Sequence, residues 1–214
     1  MIVLSLKTYK EATADNAVKL CQIIKKVADE TKVPIIPAAQ PFDIYRIKQA
    51  VDMEVWAQHL DPIDPNRHFG WLSPYSAKQA GASGVVINHL EHEIDFKTIK
   101  ATVEKCKQYD LKTLVIVGTV DLAKQVNELK PDYLAYENAD LIGGDVAMID
   151  HDPEGTKQVV ALASMPVIVG AGIRTGEHVK KTLAVGGAGV ILASAVVKAE
   201  DQEAALKDLA SGFK

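Results

Sequence analysis

The sequence predicts a closed (β/α)8 barrel, and three observations predict it. Short β-branched runs occur eight times at fairly even spacing. Amphipathic helical patterns lie between them. No linker, low-complexity tract or shift in composition divides the 214 residues, a length that suits one barrel domain over 1–214. Strands that alternate with helices form parallel βαβ units, and eight such units close a barrel. A doubly wound open sheet is the alternative reading of the same alternation.

The first run, IVLSL (2–6), shows how the elements are oriented. Successive side chains of a strand point to opposite faces. Leu4 and Leu6 therefore share one face, which suits the helix-facing side, and Ser5 and Lys7 point into the barrel mouth. The helical stretch NAVKLCQIIKKVADE follows, with Val18, Cys21, Ile24 and Ala28 on one face. VPIIPAA (33–39) is the second strand, before a helix over roughly 41–51. EVWAQ (54–58) is the third, followed by the long segment HLDPIDPNRHFGWL (59–72) and a helix over 73–80. GVVIN (84–88) is the fourth. It runs into HLEHE, after which FKTIKATVEKCKQY places Phe96, Ile99, Val103 and Cys106 together. TLVIVG (113–118) is the fifth strand, with a helix over 119–129. DYLAYE (132–137) is the sixth, with Glu137 on the face of Ala135 and Tyr133. The segment NADLIGGDVAMIDHD (138–152) and a helix over 153–164 come next. PVIVGA (166–171) and AGVILA (188–193) are the last two strands, with helices over 176–185 and 200–211.

Composition narrows the function. The formal net charge is −4 with both signs interspersed, so no basic stripe for nucleic acid or a membrane surface is present. Cys21 and Cys106 each sit in a helical pattern and read as reduced packing residues rather than a disulfide framework. No basic n-region or cleavage site marks the start, and no segment approaches the ~20 apolar residues of a membrane span. A cytoplasmic protein is expected.

Barrel chemistry sits at the C-terminal strand ends and in the loops after them. Lys7, His89 and Glu137 end strands one, four and six. Singly they read as a solvated strand end, a satisfied imidazole and a capping carboxylate. Together they suit one chemistry. A carboxylate abstracts a proton next to a carbonyl. A neutral imidazole donates to the developing enolate oxygen. An ammonium supplies charge for an oxyanion or a phosphate. A helical turn after His89 would favour the neutral imidazole through its amide dipoles. The chemistry calls for no metal or cofactor; His89 and His92 lack the further ligands of a zinc site, and His92 and Glu93 read as solvated. The segments 59–72 and 138–152 exceed the usual βα loop length and suit lids or binding surfaces. Gly143-Gly144 permits close backbone approach to a ligand. The glycine-rich ends VGAGIRTG (169–176) and GVILASAVV (189–197) fall where barrels often bind phosphate. Arg174 reads as exposed rather than as a phosphate ligand.

Seven stretches taken together resemble a known family. They are LKTYKEAT (6–13), AQHLDPIDP (57–65), NHLE (88–91), ELKPDYLAYE (128–137), LIGG (141–144), GAGIRTGEHVKK (170–181) and GVILASAVVKAED (189–201). They resemble triosephosphate isomerase, in its short archaeal branch, over nearly the whole chain. The resemblance implies a TIM barrel that interconverts dihydroxyacetone phosphate and D-glyceraldehyde 3-phosphate through an enediolate, in glycolysis and gluconeogenesis. It implies that Glu137 is the base, His89 the neutral electrophile and Lys7 the cation on the substrate, with Glu91 orienting Lys7. It implies a lid over 138–145 with the Gly143 amide on the phosphate, and further amides near Gly172, Ala193 and Ser194. It also implies a homo-oligomer, dimer or tetramer, for which the loop 59–72 with Phe69 and Trp71 is a candidate interface.

Four residues depart from that family's pattern. Ser5 stands where asparagine is usual, and being shorter would reach the substrate through water. Leu90 replaces a serine beside the catalytic glutamate, where the open lid is usually held. Asp145 replaces the last glycine of the lid. Phe69 replaces a threonine that reaches the neighbouring subunit's site, so a smaller Ser5 would make room for a larger Phe69. Two other functions share parts of the pattern. A sugar-phosphate epimerase or lyase on a barrel would share the phosphate loops but not need Lys7, His89 and Glu137 together. A divergent barrel that binds sugar phosphates without turnover is kept open by Ser5, Leu90 and Asp145.

Overall fold

The strand β1 (Ile2–Ser5) pairs on one side with β2 (Ile35–Ala39) and on the other with β8 (Gly189–Leu192), and that second pairing decides the architecture. A computed structural model describes all 214 residues. Its eight parallel strands run in sequence order around a closed barrel, through β3 (Trp56–Ala57), β4 (Gly84–Ile87), β5 (Lys112–Val117), β6 (Tyr133–Tyr136) and β7 (Val167–Gly170). The register Ile2↔Val190, Val3↔Ile191, Leu4↔Leu192 leaves no free sheet edge and rules out the open doubly wound sheet. Strand three is shorter than its sequence run, with only two paired residues.

Period-two alternation sorts the apolar residues into two layers. Val3, Ile36, Ala38, Trp56, Val86, Leu114, Ile116, Ala135, Ile168 and Ile191 fill the barrel interior. Ile2, Leu4, Leu6 and their counterparts face outward into a larger layer shared with the helices. The indole of Trp56, stacked obliquely on Tyr133 with centroids 5.7 Å apart, occupies the floor. Gly84 makes room for it, since a Cβ there would lie 2.7 Å from the indole nitrogen.

The outer ring begins with α1 (Asp15–Thr31), α2 (Pro41–Ala50) and α3 (Pro74–Gln79) and continues with α4 (Phe96–Gln108) and α5 (Val120–Leu129). The one-turn α6 (Met148–His151) leads into α7 (Pro153–Leu162); α8 (Gly176–Ala184), the one-turn α9 (Ser194–Val197) and α10 (Gln202–Ser211) complete it. Side-chain caps define several starts: Asp95, Thr119, Asp152, Thr175 and Asp201 each accept from an amide in the first turn, satisfying donors that the helix itself cannot. The buried face of α1 is Ala17, Leu20, Cys21, Ile24 and Val27. Val18 and Ala28 lie at its margin, one position off the stripe expected from the sequence. On α4 the expected Ile99, Val103 and Cys106 are buried and Thr102 joins them, with Phe96 half-buried. Both cysteines are free and buried. The segment 138–152 is not one continuous loop, because a 3-10 turn at Ala139–Leu141 and α6 interrupt it. No helix is long and apolar enough to cross a membrane.

Candidate active site

Strand β1 delivers Ser5 and Lys7 to the barrel mouth, as the alternation requires. Lys7 has φ +47, a left-handed conformation that costs an ordinary side chain about 1–3 kcal/mol. Gln58, past the end of β3, holds it there: its Nε2 donates to the Lys7 carbonyl at 3.1 Å and to the Ala38 carbonyl at 3.0 Å. The ammonium lies 2.8 Å from Oε1 of Glu91.

The turn after β4 is bolted to β5 by Asn88, buried and also at positive φ. Its amide donates to the Ile116 carbonyl and accepts from the Ile94 N–H, each at 2.9 Å. This turn presents His89. The Glu91 N–H donates to Nδ1 of His89 at 3.1 Å. An imidazole nitrogen that accepts carries no proton, so the neutral ring holds its proton on Nε2. Burial lowers the pKa of His89 first, the Lys7 charge lowers it further, and Glu91 opposes them. The expected helical turn after His89 is not formed. A hydrogen-bonded turn, His92 N–H to His89 carbonyl at 2.7 Å, stands there, and α4 begins only at Phe96. The neutral imidazole thus follows from burial and one backbone amide rather than from a helix dipole. His92 and Glu93 are both exposed, as expected, and the His92 ring stacks on His59 with centroids 4.7 Å apart. Leu90 packs against the barrel interior beside Gly118.

Glu137 extends β6 inward and is 3 % exposed. Its outward neighbour Tyr136 donates to Asp152 at 3.1 Å. Gly170 creates the space for the carboxylate, because a Cβ there would lie 2.0 Å from Oε1. The Ala171 backbone amide favours the charged carboxylate, yet Oε2 is buried with no partner, 3.9 Å from Nε2 of His89. Burial pushes the Glu137 pKa up to about 7; Glu91 adds to the rise, while Lys7 and the Ala171 amide act against it.

The other end of the site lies under the segment 138–147. One cavity of ≈ 50 Å³ is lined by Glu137, His89 and Lys7 together with Gly143, Gly172 and Ser194. Ser5 and Ala193 line it as well. Glu91 borders the adjoining space of ≈ 330 Å³, which opens beside Ser5, Gln58 and His59. Every site residue expected from the sequence therefore falls in or next to these two cavities. Gly172, at φ +68, lets the backbone at Val146 pack down on it: a Cβ there would lie 1.9 Å from the Val146 carbonyl oxygen. Arg174 is exposed, as expected, but it also borders the cavity, pairs with Asp145 and donates to the Gly144 carbonyl at 3.1 Å.

Four contributors escaped the sequence reading: Gln58, Asn88, Gly170 and Ala171. Gln58 and Asn88 are the polar ends of otherwise apolar strand runs, which is a usable signal. Gly170 and Ala171 look like turn residues, and only the carboxylate packed against them gives them a role.

A profile of the family described as "Triosephosphate isomerase" matches residues 1–210. The triosephosphate isomerase of Methanothermus fervidus is 38 % identical over 214 residues, covering 98 % of this chain and 96 % of that one. Those of Methanobacterium bryantii and Methanocaldococcus jannaschii are each 37 % identical, over 99 % and 98 % of this chain and 96 % and 98 % of theirs. The crystal structure of triosephosphate isomerase from Bartonella henselae superposes with a TM-score of 0.76 at 15 % identity, covering 99 % of this chain and 98 % of that chain, a likeness that speaks to the fold alone.

Proposed function

The chain belongs to the triosephosphate isomerase family and interconverts dihydroxyacetone phosphate and D-glyceraldehyde 3-phosphate, and on that premise we propose that Glu137, His89 and Lys7 carry the reaction. One observation carries the assignment: the buried, unpartnered Oε2 of Glu137 lies 3.9 Å from Nε2 of His89 where both line one cavity. Oε2 takes the proton from the carbon next to the carbonyl. The Nε2–H of His89 donates to the oxygen that gains charge, giving the enediolate. Nε2 of His89 moves a proton between the two oxygens, so that the former hydroxyl oxygen loses its proton and the former carbonyl oxygen keeps one, and Glu137 returns its proton to the other carbon, which completes the isomerisation. The Lys7 ammonium, oriented by Glu91, offsets the negative charge of intermediate and substrate. Ser5, one hydroxyl on the same cavity wall, reaches the substrate through water.

The phosphate end is assigned to the Gly143 amide and the backbone near Gly172, Ala193 and Ser194. Two of these glycines have positive φ, and the first-turn amides of a helix lack partners within it.

We further propose that residues 1–214 work as one barrel domain that assembles into a homo-oligomer, dimer or tetramer, through the loop 59–72. Phe69 is fully exposed at its tip and Trp71 is 55 % exposed. The wide cavity beside Ser5 and Gln58 is open to a second copy's aromatic side chain. A cytoplasmic location is supported by the two unpaired buried cysteines, which persist in a reducing compartment.

A coupled assay with glyceraldehyde 3-phosphate and wild-type protein, followed by the Glu137→Gln variant, tests the assignment. Turnover in the wild type and its near-complete loss in the variant is the expected result. Undiminished turnover in the variant would remove Glu137 as the base.

A further inference from the structure

Asp145 is exposed and follows directly on Gly143 and Gly144, which line the cavity, so its charge lies next to the proposed anion site. A carboxylate beside the seat of a dianion opposes its binding unless a cation compensates it. Arg174 is that cation. Its Nη2 pairs with Oδ1 of Asp145 and donates to the Gly144 carbonyl at 3.1 Å. One guanidinium thus grips two consecutive lid residues from the loop after β7, thirty positions away in sequence.

The arginine is held at its root as well. The Arg174 N–H donates to Nδ1 of His178 at 3.1 Å, and Nε2 of His178 faces Asp150 at 3.4 Å. Lys181 holds the same Asp150 at 2.6 Å. Asp150 sits on α6, just past the lid. The chain of contacts therefore links the lid tip, the loop after β7, α8 and α6. A guanidinium has five N–H donors in a rigid fork, which suits it to bridging a carboxylate and a carbonyl.

We propose that Arg174 is a positioning residue that clasps the lid tip at Gly144-Asp145, aims the Gly143 amide at the substrate phosphate and cancels the Asp145 charge beside it. The inference rests on the assignment of the Gly143, Gly172 and Ser194 end as the phosphate end. It differs from a direct salt link between Arg174 and the phosphate, in which Asp145 would have no part.

The test compares wild type, R174A, R174K, D145A and the double variant D145A/R174A. For each, kcat and KM for glyceraldehyde 3-phosphate are measured together with competitive inhibition by inorganic phosphate. R174A is expected to raise KM and the phosphate inhibition constant together, by about fivefold, with kcat changed by less than about twofold. R174K should recover part of the loss, since it restores charge without the fork. The double variant should bind better than R174A alone, because no unpaired carboxylate is left beside the phosphate. A double variant as weak as R174A would overturn the clasp in favour of a direct phosphate ligand. An R174A indistinguishable from wild type, or one that loses kcat at constant KM, would overturn it too. Failure of inorganic phosphate to compete in the wild type would instead overturn the assignment of the phosphate end. Both side chains are substantially exposed, so the variants should fold, and matched thermal melts of the five proteins confirm this.

Discussion

Nε2 of His89 lies 3.9 Å from Oε2 of Glu137, and that oxygen is buried without a hydrogen-bond partner. An unsatisfied buried polar atom costs about 1–3 kcal/mol. The cost falls where proton transfer needs a free acceptor, next to an imidazole whose proton is directed to Nε2 by the Glu91 amide. Glu137→Gln keeps shape and removes basicity. Its kcat should fall by about 10³-fold or more with little change in KM. The coupled assay reads both, and turnover within about tenfold of wild type would mean that another group is the base.

The same substitution should raise stability, with a definite pH dependence. The folded-state pKa of Glu137 is about 7 against an ordinary 4.5. Between those values the folded protein holds the proton and the unfolded chain does not, so stability falls as pH rises through the window. The contribution is complete below the lower value and gone above the upper. Glu137→Gln should therefore unfold at higher urea than wild type at pH 8, by on the order of 3 kcal/mol, and close to wild type near pH 4. Equal stability at both pH values would refute a raised carboxyl pKa. The same ionisation sets an acidic limb on kcat/KM, which should drop as pH falls below about 7.

His89 should remain neutral to below the ordinary imidazole value. Burial and Lys7 both lower its pKa, so the folded protein resists a proton that the unfolded chain accepts, and stability is lost as pH falls through the ordinary value of 6.5. Nitrogen-15 NMR of labelled protein at neutral pH should show a protonated Nε2 and a bare Nδ1. The opposite tautomer would contradict the Glu91 amide as the group that orients the ring.

Gly170→Ala should disable the site from outside the catalytic trio. The added Cβ meets Oε1 of Glu137 and a methyl of Ile191, so the carboxylate must move. A displacement of that order costs roughly 10²-fold in rate. Steady-state kinetics beside a thermal melt separate loss of rate from loss of fold; a folded variant with normal kcat would show that the carboxylate position is not constrained here.

Phe69→Asp should reduce the molecular mass in solution. A fully exposed phenylalanine at an assembly contact becomes a charge that a second copy cannot bury. Size-exclusion chromatography with light scattering on wild type and variant reads the change. A wild type that elutes as a monomer, or a variant of unchanged mass, would exclude the loop 59–72 as the interface.

Much of this molecule is written in local periodicity. The eight β-branched runs mark the eight strands, and alternation along VLSLK and DYLAYE turns Ser5, Lys7 and Glu137 inward while Leu4, Leu6 and Tyr136 face the helices. Such directions depend on backbone sterics within a few residues, so a single chain carries them openly. The family resemblance supplied what periodicity leaves out, the pairing of Lys7 with Glu91. The helical turn expected after His89 gives way to a single hydrogen-bonded turn, because the Asn88 side chain ties this segment to β5 and to Ile94.

The sequence by itself thus determined the barrel, the inward faces and the strand ends where chemistry gathers. Barrel closure decided the rest. The Glu137 pKa depends on how completely the closed barrel excludes water around it, and its place depends on the missing side chain of Gly170. The left-handed Lys7 depends on Gln58 from just past a different strand, and the pairing of Asp145 with Arg174 joins two loops. These properties belong to contacts between segments far apart in sequence, and they exist only once eight strands have come round to meet.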